Sequence, residues 1–135
     1  MIKVTSESSL NTLEVVELFN VAQFPDETYK FSNKQIKGIV HNADIIVTGR
    51  DDKYRLQGIA LTLTNYVNAC YLTGVAVHPD FQRQGLATRL IEKAIELSGG
   101  EDVTFVALST PNAVAFYENA GFERCKNDFM RLRRR

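Results

Sequence analysis

The chain has 135 residues, 44% of them hydrophobic, which is enough to enclose one apolar core and too few for two ordinary domains; one domain spanning 1–135 is expected. Lys and Arg number 16 and Asp and Glu 16, so the net charge is zero and no global field draws the protein to nucleic acid or a membrane surface. The N-terminal Met1-Ile2-Lys3 opens no signal-type apolar stretch and no run is long enough to span a bilayer, so the expected location is cytoplasmic.

In chain order, Ile2 to Thr5 reads as a first strand, and Leu13, Val16, Phe19 and Val21 approximate one apolar face of a helix. Ser32, with Gln35 three residues on and Ile36, Ile39 and Val40 beyond, has the spacing of a capped second helix. Asp44–Gly49, Gln57–Thr64 and Cys70–Val77 are β-rich runs parted by short polar segments, and consecutive antiparallel strands are the economical reading. Leu86, Leu90, Ile91, Ala94 and Leu97 then recur at helical spacing, with Arg89, Glu92, Lys93 and Glu96 outward and Gly99-Gly100 as a stop.

Val103–Leu108 follows as a short buried strand, so strand, helix and strand form a βαβ unit with a parallel pairing and a right-handed crossover. Ala113–Ala120 is a short helix closed by Gly121, and Phe122–Cys125 and Phe129–Leu132 read as terminal strands whose exposed edges leave a homodimer open. The order defines an α/β fold, α+β in its mixed sheet. No repeat, linker or low-complexity tract interrupts it. The two cysteines, Cys70 and Cys125, lack CxxC spacing, so both read as reduced structural thiols and no metal is expected.

The most informative segment is Val77-His78-Pro79-Asp80-Phe81-Gln82-Arg83-Gln84-Gly85-Leu86-Ala87-Thr88, between a strand end and a helix start. A helix N-terminus offers unpaired N–H groups and the positive end of the macrodipole, a ready seat for a phosphate. Gly85 allows close backbone approach, Ala87 and Thr88 keep the first turn uncrowded, and Gln82 and Arg83 can add side-chain donors. The bland alternative, a glycine that merely eases a strand-to-helix turn beside solvated polar residues, stands on this segment alone. No GxxxxGK[ST] or GxGxxG occurs, which disfavours nucleoside triphosphates and NAD.

With Gln82-Arg83-Gln84-Gly85-Leu86-Ala87 at its centre, the stretch from Tyr71 through Leu97 resembles the acyl-CoA-binding motif Q/R-x-x-G-x-G/A of the GNAT acetyltransferase superfamily. Asn112-Ala113-Val114-Ala115-Phe116-Tyr117-Glu118-Asn119-Ala120-Gly121-Phe122 is similar to a second signature of that family, which ends F-Y-E-x-x-G-F. The two cover about the C-terminal half of the chain.

The resemblance implies a GNAT-like fold in which the strands Tyr71–Val77 and Val103–Leu108 splay and a pantetheine arm lies between them like a missing strand. By position, backbone groups of Val75 and Val77 would bond the pantetheine amides, and backbone N–H groups from Gln82, Arg83, Gln84 and Gly85 through Leu86, Ala87 and Thr88 the pyrophosphate. Asn112 would reach the arm from the far side, or cap the helix that follows it, or both. The implied reaction moves an acetyl group from acetyl-CoA, the cosubstrate, to a primary amine of a small molecule or peptide, by direct attack without a metal. A strand N–H near Val75 or Ala76 would receive the developing negative charge, and the phenol of Tyr117 the departing thiolate. Tyr117 equally has the spacing of a half-buried core aromatic.

Many relatives place a carboxylate on the strand before the phosphate turn, where this chain has Thr73 and Gly74. The candidates for the base are then a water on Thr73 or Tyr71, His78, or Asp26 or Glu27; His41 reads as a helix-end residue. The alternative is a non-catalytic acyl-CoA-binding or sensing module. Arg131, Arg133, Arg134 and Arg135 read as a solvated tail.

Overall fold

The computed structural model describes residues 1–22, 30–108 and 113–125. Its elements run β1 (Lys3–Ser6), α1 (Thr12–Ala22), α2 (Asn33–Asn42), β2 (Ile45–Arg50), β3 (Leu56–Thr64), β4 (Ala69–Val77), α3 (Leu86–Leu97), β5 (Thr104–Ala107) and α4 (Val114–Asn119), with single 3-10 turns at Pro79–Phe81 and Gly100–Asp102. The five strands form one mixed sheet in sequence order. β1 to β4 are antiparallel, and β5 returns parallel to β4 through α3. The expected α/β fold with a mixed sheet is therefore the one observed.

Period-2 alternation in the central strands divides the core by sheet face. Ile46, Ile59, Leu61 and Ala76 pack under α1 and α2 with Val15, Val16, Leu18, Phe19, Ile36 and Val40. Val47, Ala60, Leu72 and Val77 pack under α3 with Leu86, Leu90, Ile91 and Ala94. α2 starts where the Ser32 and Gln35 spacing puts it. The Gln35 N–H donates to the Ser32 hydroxyl at 3.2 Å and the Ser32 N–H to the Gln35 side chain at 2.8 Å, a reciprocal cap.

Two polar clusters tie the layers together. Arg50, at the end of β2, donates to Glu7 at 2.7 Å and to Glu14 on α1 at 3.1 Å, and the Thr48 hydroxyl also donates to Glu7. The bond from Arg50 holds the Glu7 carboxyl below the ordinary carboxylate range. At the other end, the fully buried Thr62 and Ser98 hydroxyls meet at 3.0 Å and Thr64 donates to the Ser98 carbonyl at 2.8 Å, fixing the C-terminus of α3 to β3.

Phe122–Cys125, expected as a terminal strand, pairs with no strand among the described residues, and its backbone bond from the Phe122 N–H to the Tyr117 carbonyl at 3.0 Å is local, closing α4. Phe129–Leu132 lies outside the described residues. No helix among the described residues is long and apolar enough to cross a membrane.

Leu86 and Leu90 of α3 pack directly over Gly49 and Gly58, which are paired across β2 and β3 and present no side chain to the helix. A Cβ on Gly58 would sit 2.9 Å from Leu90 Cδ1 and 3.1 Å from Leu86 Cδ2. Gly58→Val therefore has to displace the Leu86 and Leu90 side chains of α3, the helix that follows the turn after β4, and a stability loss of about 1–3 kcal/mol is expected in urea denaturation. An unchanged midpoint would show that α3 is not seated by this contact.

Candidate functional site

The site begins with a break in β4. The parallel ladder to β5 runs from Ala69↔Thr104 to Leu72↔Ala107 and stops. At the same level the ladder to β3 shifts register, Leu61 opposing Gly74 and Thr62 opposing Leu72, which leaves Thr73 as the extra residue of a β-bulge. Its hydroxyl donates to the Leu61 carbonyl at 3.1 Å, an anchor for the bulge. From Thr73 to Val77, no strand among the described residues takes the other edge of β4.

The register fixes which backbone groups face that opening. The His78 N–H donates to the Gln57 carbonyl at 2.8 Å beside the Gly58↔Val77 pair, so the next pair, Ile59↔Ala76, exchanges both ladder bonds. By alternation Val75 and Val77 turn their N–H and C=O groups away from β3 into the gap, whereas those of Ala76 are spent on Ile59. Of the three strand residues singled out in the sequence, two line the opening and Ala76 does not.

The turn that follows is held from inside. The Gln82 side-chain amide donates to the Val77 carbonyl at 2.9 Å, Gln84 donates to the Asp80 carbonyl at 3.1 Å, and the Asp80 N–H donates to His78 Nδ1 at 3.1 Å. Gln82, one of the two side chains that the sequence offers to an anion, thus shapes the loop together with Gln84. Arg83 at φ 63° and Gly85 at φ 80° both occupy the left-handed region, which turns the chain sharply into α3. The Arg89 N–H closes the first helical bond to the Gly85 carbonyl at 3.1 Å. That leaves the N–H groups of Leu86, Ala87 and Thr88 as the orphan donors of the helix start. Arg83, Gln84 and Gly85 are exposed beside them, Ala87 and Thr88 half-buried, and Leu86 is buried as a core residue.

Tyr117, on α4, belongs to the α3 side of the sheet and packs edge-on against Phe116 and Phe122 at 5.2 and 5.4 Å between ring centres. It lines a cavity of about 140 Å³ together with Phe105, Val106 and Ala107 of β5. Burial pushes its phenol above the ordinary tyrosine range, and Tyr71 of β4 adds to the shift. Asn112, Asp26, Glu27 and the four C-terminal arginines lie outside the described residues. His78 is tied into its own turn, His41 is exposed at the end of α2, Cys70 is buried and Cys125 exposed. Among the described residues no three His, Cys, Asp or Glu gather where they could hold a metal ion.

On the opposite face a larger cavity, about 400 Å³, lies between α2 and β3–β4, lined by Phe31, Gln35, Gly38, Ile39, Asn42, Leu63, Tyr71 and Thr73. Neither this cavity nor the bulge is read from the sequence above, although a glycine inside a strand run, here Gly74, is a bulge signal. The opening in β4 adjoins the larger cavity at Thr73, and the smaller cavity reaches the last ladder residue of β5, Ala107. Thr73 and Tyr71 look to one face and the backbone of Val75 and Val77 lies on the path to the helix start.

An open strand edge that runs into a helix N-terminus defines a class of protein, the GNAT acyltransferases, and the comparisons agree. Residues 11–122 match the Acetyltransferase (GNAT) family, and the chain belongs to that family. It is 31% identical over 120 residues to the uncharacterized N-acetyltransferase ycf52 of Pyropia yezoensis, an alignment covering 84% of this chain and 68% of that protein. Among solved structures it resembles a GNAT family acetyltransferase from Streptococcus pneumoniae, with a TM-score of 0.74 and 18% identity over 99% of this chain and 100% of that one. It also resembles a GNAT family N-acetyltransferase from Escherichia coli in complex with CoA, with a TM-score of 0.69 and 19% identity over 90% of this chain and 68% of that one. At these identities the structural likeness shows the fold, and the family membership makes the chain an acyltransferase.

The raised phenol gives a direct check. Burial disfavours the phenolate, so the protonated form is stabilised in the folded state; this contribution to stability is complete below the unfolded value near 10 and is lost as pH rises through the folded one. In an alkaline absorbance titration, a component ionising above the ordinary tyrosine range is expected to vanish in Tyr117→Phe. A curve that loses a component at or below the ordinary value would contradict the placement of this ring.

Proposed function

We propose that this chain is an acetyl-CoA-dependent N-acetyltransferase, passing an acetyl group to a primary amine by direct attack while both substrates are bound. The observation that carries the reading is the free edge of β4 beyond Thr73, whose Val75 and Val77 backbone groups face a gap that leads straight to the N-terminus of α3. Buried backbone groups without partners are costly, so an edge of this kind is suited to a ligand bearing amides. A pantetheine arm carries two, separated by a unit one methylene longer than a peptide residue, and leads to a diphosphate that the helix start would receive.

The residues present fit that ligand. Val75 offers an N–H and a C=O, Val77 an N–H, its carbonyl being taken by Gln82, and Leu86, Ala87 and Thr88 offer three convergent N–H groups with Arg83 exposed at the rim. When bound, acetyl-CoA supplies an activated acyl carbon as a thioester. The Val75 N–H is the strand donor positioned for negative charge developing on the acyl oxygen; the Ala76 N–H, committed to Ile59, is not.

The amine is the other half of the chemistry. At neutral pH only about one alkyl ammonium in a thousand has lost its proton, so a bound water or a desolvated seat must help remove it. Thr73 borders the larger cavity and, having donated to Leu61, keeps oxygen lone pairs to accept a hydrogen bond from such a water or from the amine. The amine nitrogen forms the new C–N bond as the C–S bond breaks; the ammonium becomes an amide, the thiolate takes one proton to leave as a thiol, and one proton is released. Tyr117, whose phenol burial holds in the protonated form, is the donor we assign to the departing sulfur.

Tyr117→Phe tests the assignment. Turnover is expected to fall by about a hundredfold while the Kd for CoA from calorimetry stays within about twofold. Unchanged turnover would remove the phenol from the mechanism, and loss of CoA binding alone would make it a packing residue of the donor site.

A further inference from the structure

On the acetyltransferase reading, the acceptor approaches the gap from the face of the sheet opposite α3, where the larger cavity lies. The side chains there are of one kind. α2 contributes Gln35, Gly38, Ile39 and Asn42, a stripe at helical spacing, and the strands contribute Leu63, Tyr71 and Thr73, with Phe31 closing the end before α2. Every described lining residue is apolar, aromatic, or neutral and polar. The polar groups are partly spent, Gln35 on the Ser32 N–H and Asn42 on the Gly38 carbonyl at 2.9 Å.

The apolar surface continues from the cavity wall toward β5. Leu63 and Tyr71 of the lining are 41% and 38% exposed, and Val106, a wall of the smaller cavity that opposes Tyr71 in register, is 42% exposed, so the three form a row across β3, β4 and β5. The charged residues of α2, in contrast, are cations, Lys34 and Lys37, with no carboxylate on that helix. A ligand with several ammonium groups would face desolvation of each charge without a carboxylate among the described lining residues, the nearby Asp44 being engaged with the Thr64 N–H at 2.9 Å. A ligand with one reacting amine on an apolar body would cover the row and fill the cavity at a gain of roughly 25 cal/mol per Å².

We infer that the acceptor is a small monoamine carried on an apolar, aromatic or long-chain body, seated between α2 and the Leu63–Tyr71–Val106 row, and not a polycation. The cavity holds the body and the amine reaches the gap at Thr73. Specificity then comes from apolar fit, for which each methylene is worth about tenfold or more in kcat/KM.

The test uses the full chain, acetyl-CoA and thiol release, with 2-phenylethylamine, hexylamine, spermidine and kanamycin as acceptors, after calorimetry with CoA. The expected result is kcat/KM for the two apolar monoamines at least about tenfold above that for the polycations. Leu63→Glu, at an exposed position, should then lower the phenylethylamine value about tenfold, leave the Kd for CoA unchanged, and narrow or invert the preference. Saturable CoA binding with turnover confined to spermidine or kanamycin, or with none of the four amines used, overturns this inference and leaves the acetyltransferase reading standing or to be judged on other acceptors. Absence of saturable CoA binding overturns that reading and this one with it. A dimer in solution that Leu63→Glu dissociates, with the amine preference unaltered, would assign the row to a second copy of the chain and also overturn the inference.

Discussion

A parallel strand pair that is not allowed to finish is the constraint on which the rest of this structure depends. Four residue pairs join β4 to β5, and then the bulge at Thr73 turns β4 away, so that the next backbone groups, at Val75 and Val77, have no strand to meet among the described residues. Unsatisfied amides inside a protein cost about as much as the hydrogen bonds they forgo, and such an edge survives only where its neighbours over-determine it. Here they do. β3 holds the other edge of β4 with a continuous ladder on either side of the bulge, and the Thr73 hydroxyl is bonded to Leu61.

The surrounding elements serve the position of that edge. Gly49 and Gly58 leave room for Leu86 and Leu90 of α3, Thr62 and Ser98 fix its far end, and Gln82 reaches back from the turn to the Val77 carbonyl. The start of α3 is therefore set relative to the end of β4 by packing and by a side-chain bond, with little left to loop flexibility. The two cores lie on opposite faces of the sheet, and beyond Leu72↔Ala107 no strand among the described residues fills the edge of β4 between them. On the proposed reading the donor enters from the α3 face beside Tyr117, the acceptor from the α2 face beside Tyr71 and Thr73, and they meet in the plane of the sheet.

Much of this was legible in residues. The apolar spacing of Leu86, Leu90, Ile91 and Ala94, the Ser32 and Gln35 cap, and the β-rich run Gln57–Thr64 each carry a physical signal that the fold obeys. The glycine turn and the Phe116-Tyr117-Glu118 segment carried the family. What escaped were features decided by tertiary register. Ala76 and Val75 look alike in a strand, and only the pairing with Ile59 separates the committed amide from the open one. Gln82 reads as a donor for an anion until its bond to Val77 is seen. Phe122–Cys125 has strand-like letters but no ladder partner among the described residues. The stripe of α2 facing Leu63 and Tyr71 unites residues some thirty apart, beyond the reach of any local pattern.

Backbone amide exchange, followed residue by residue in the free protein and with saturating CoA, addresses the open edge most directly. The account predicts that the N–H groups of Val75, Val77, Leu86, Ala87 and Thr88 become protected on binding, while that of Ala76, already bonded within the sheet, exchanges as before. Saturable binding that leaves Val75 and Val77 exchanging at their free rates would show that the coenzyme does not complete the sheet.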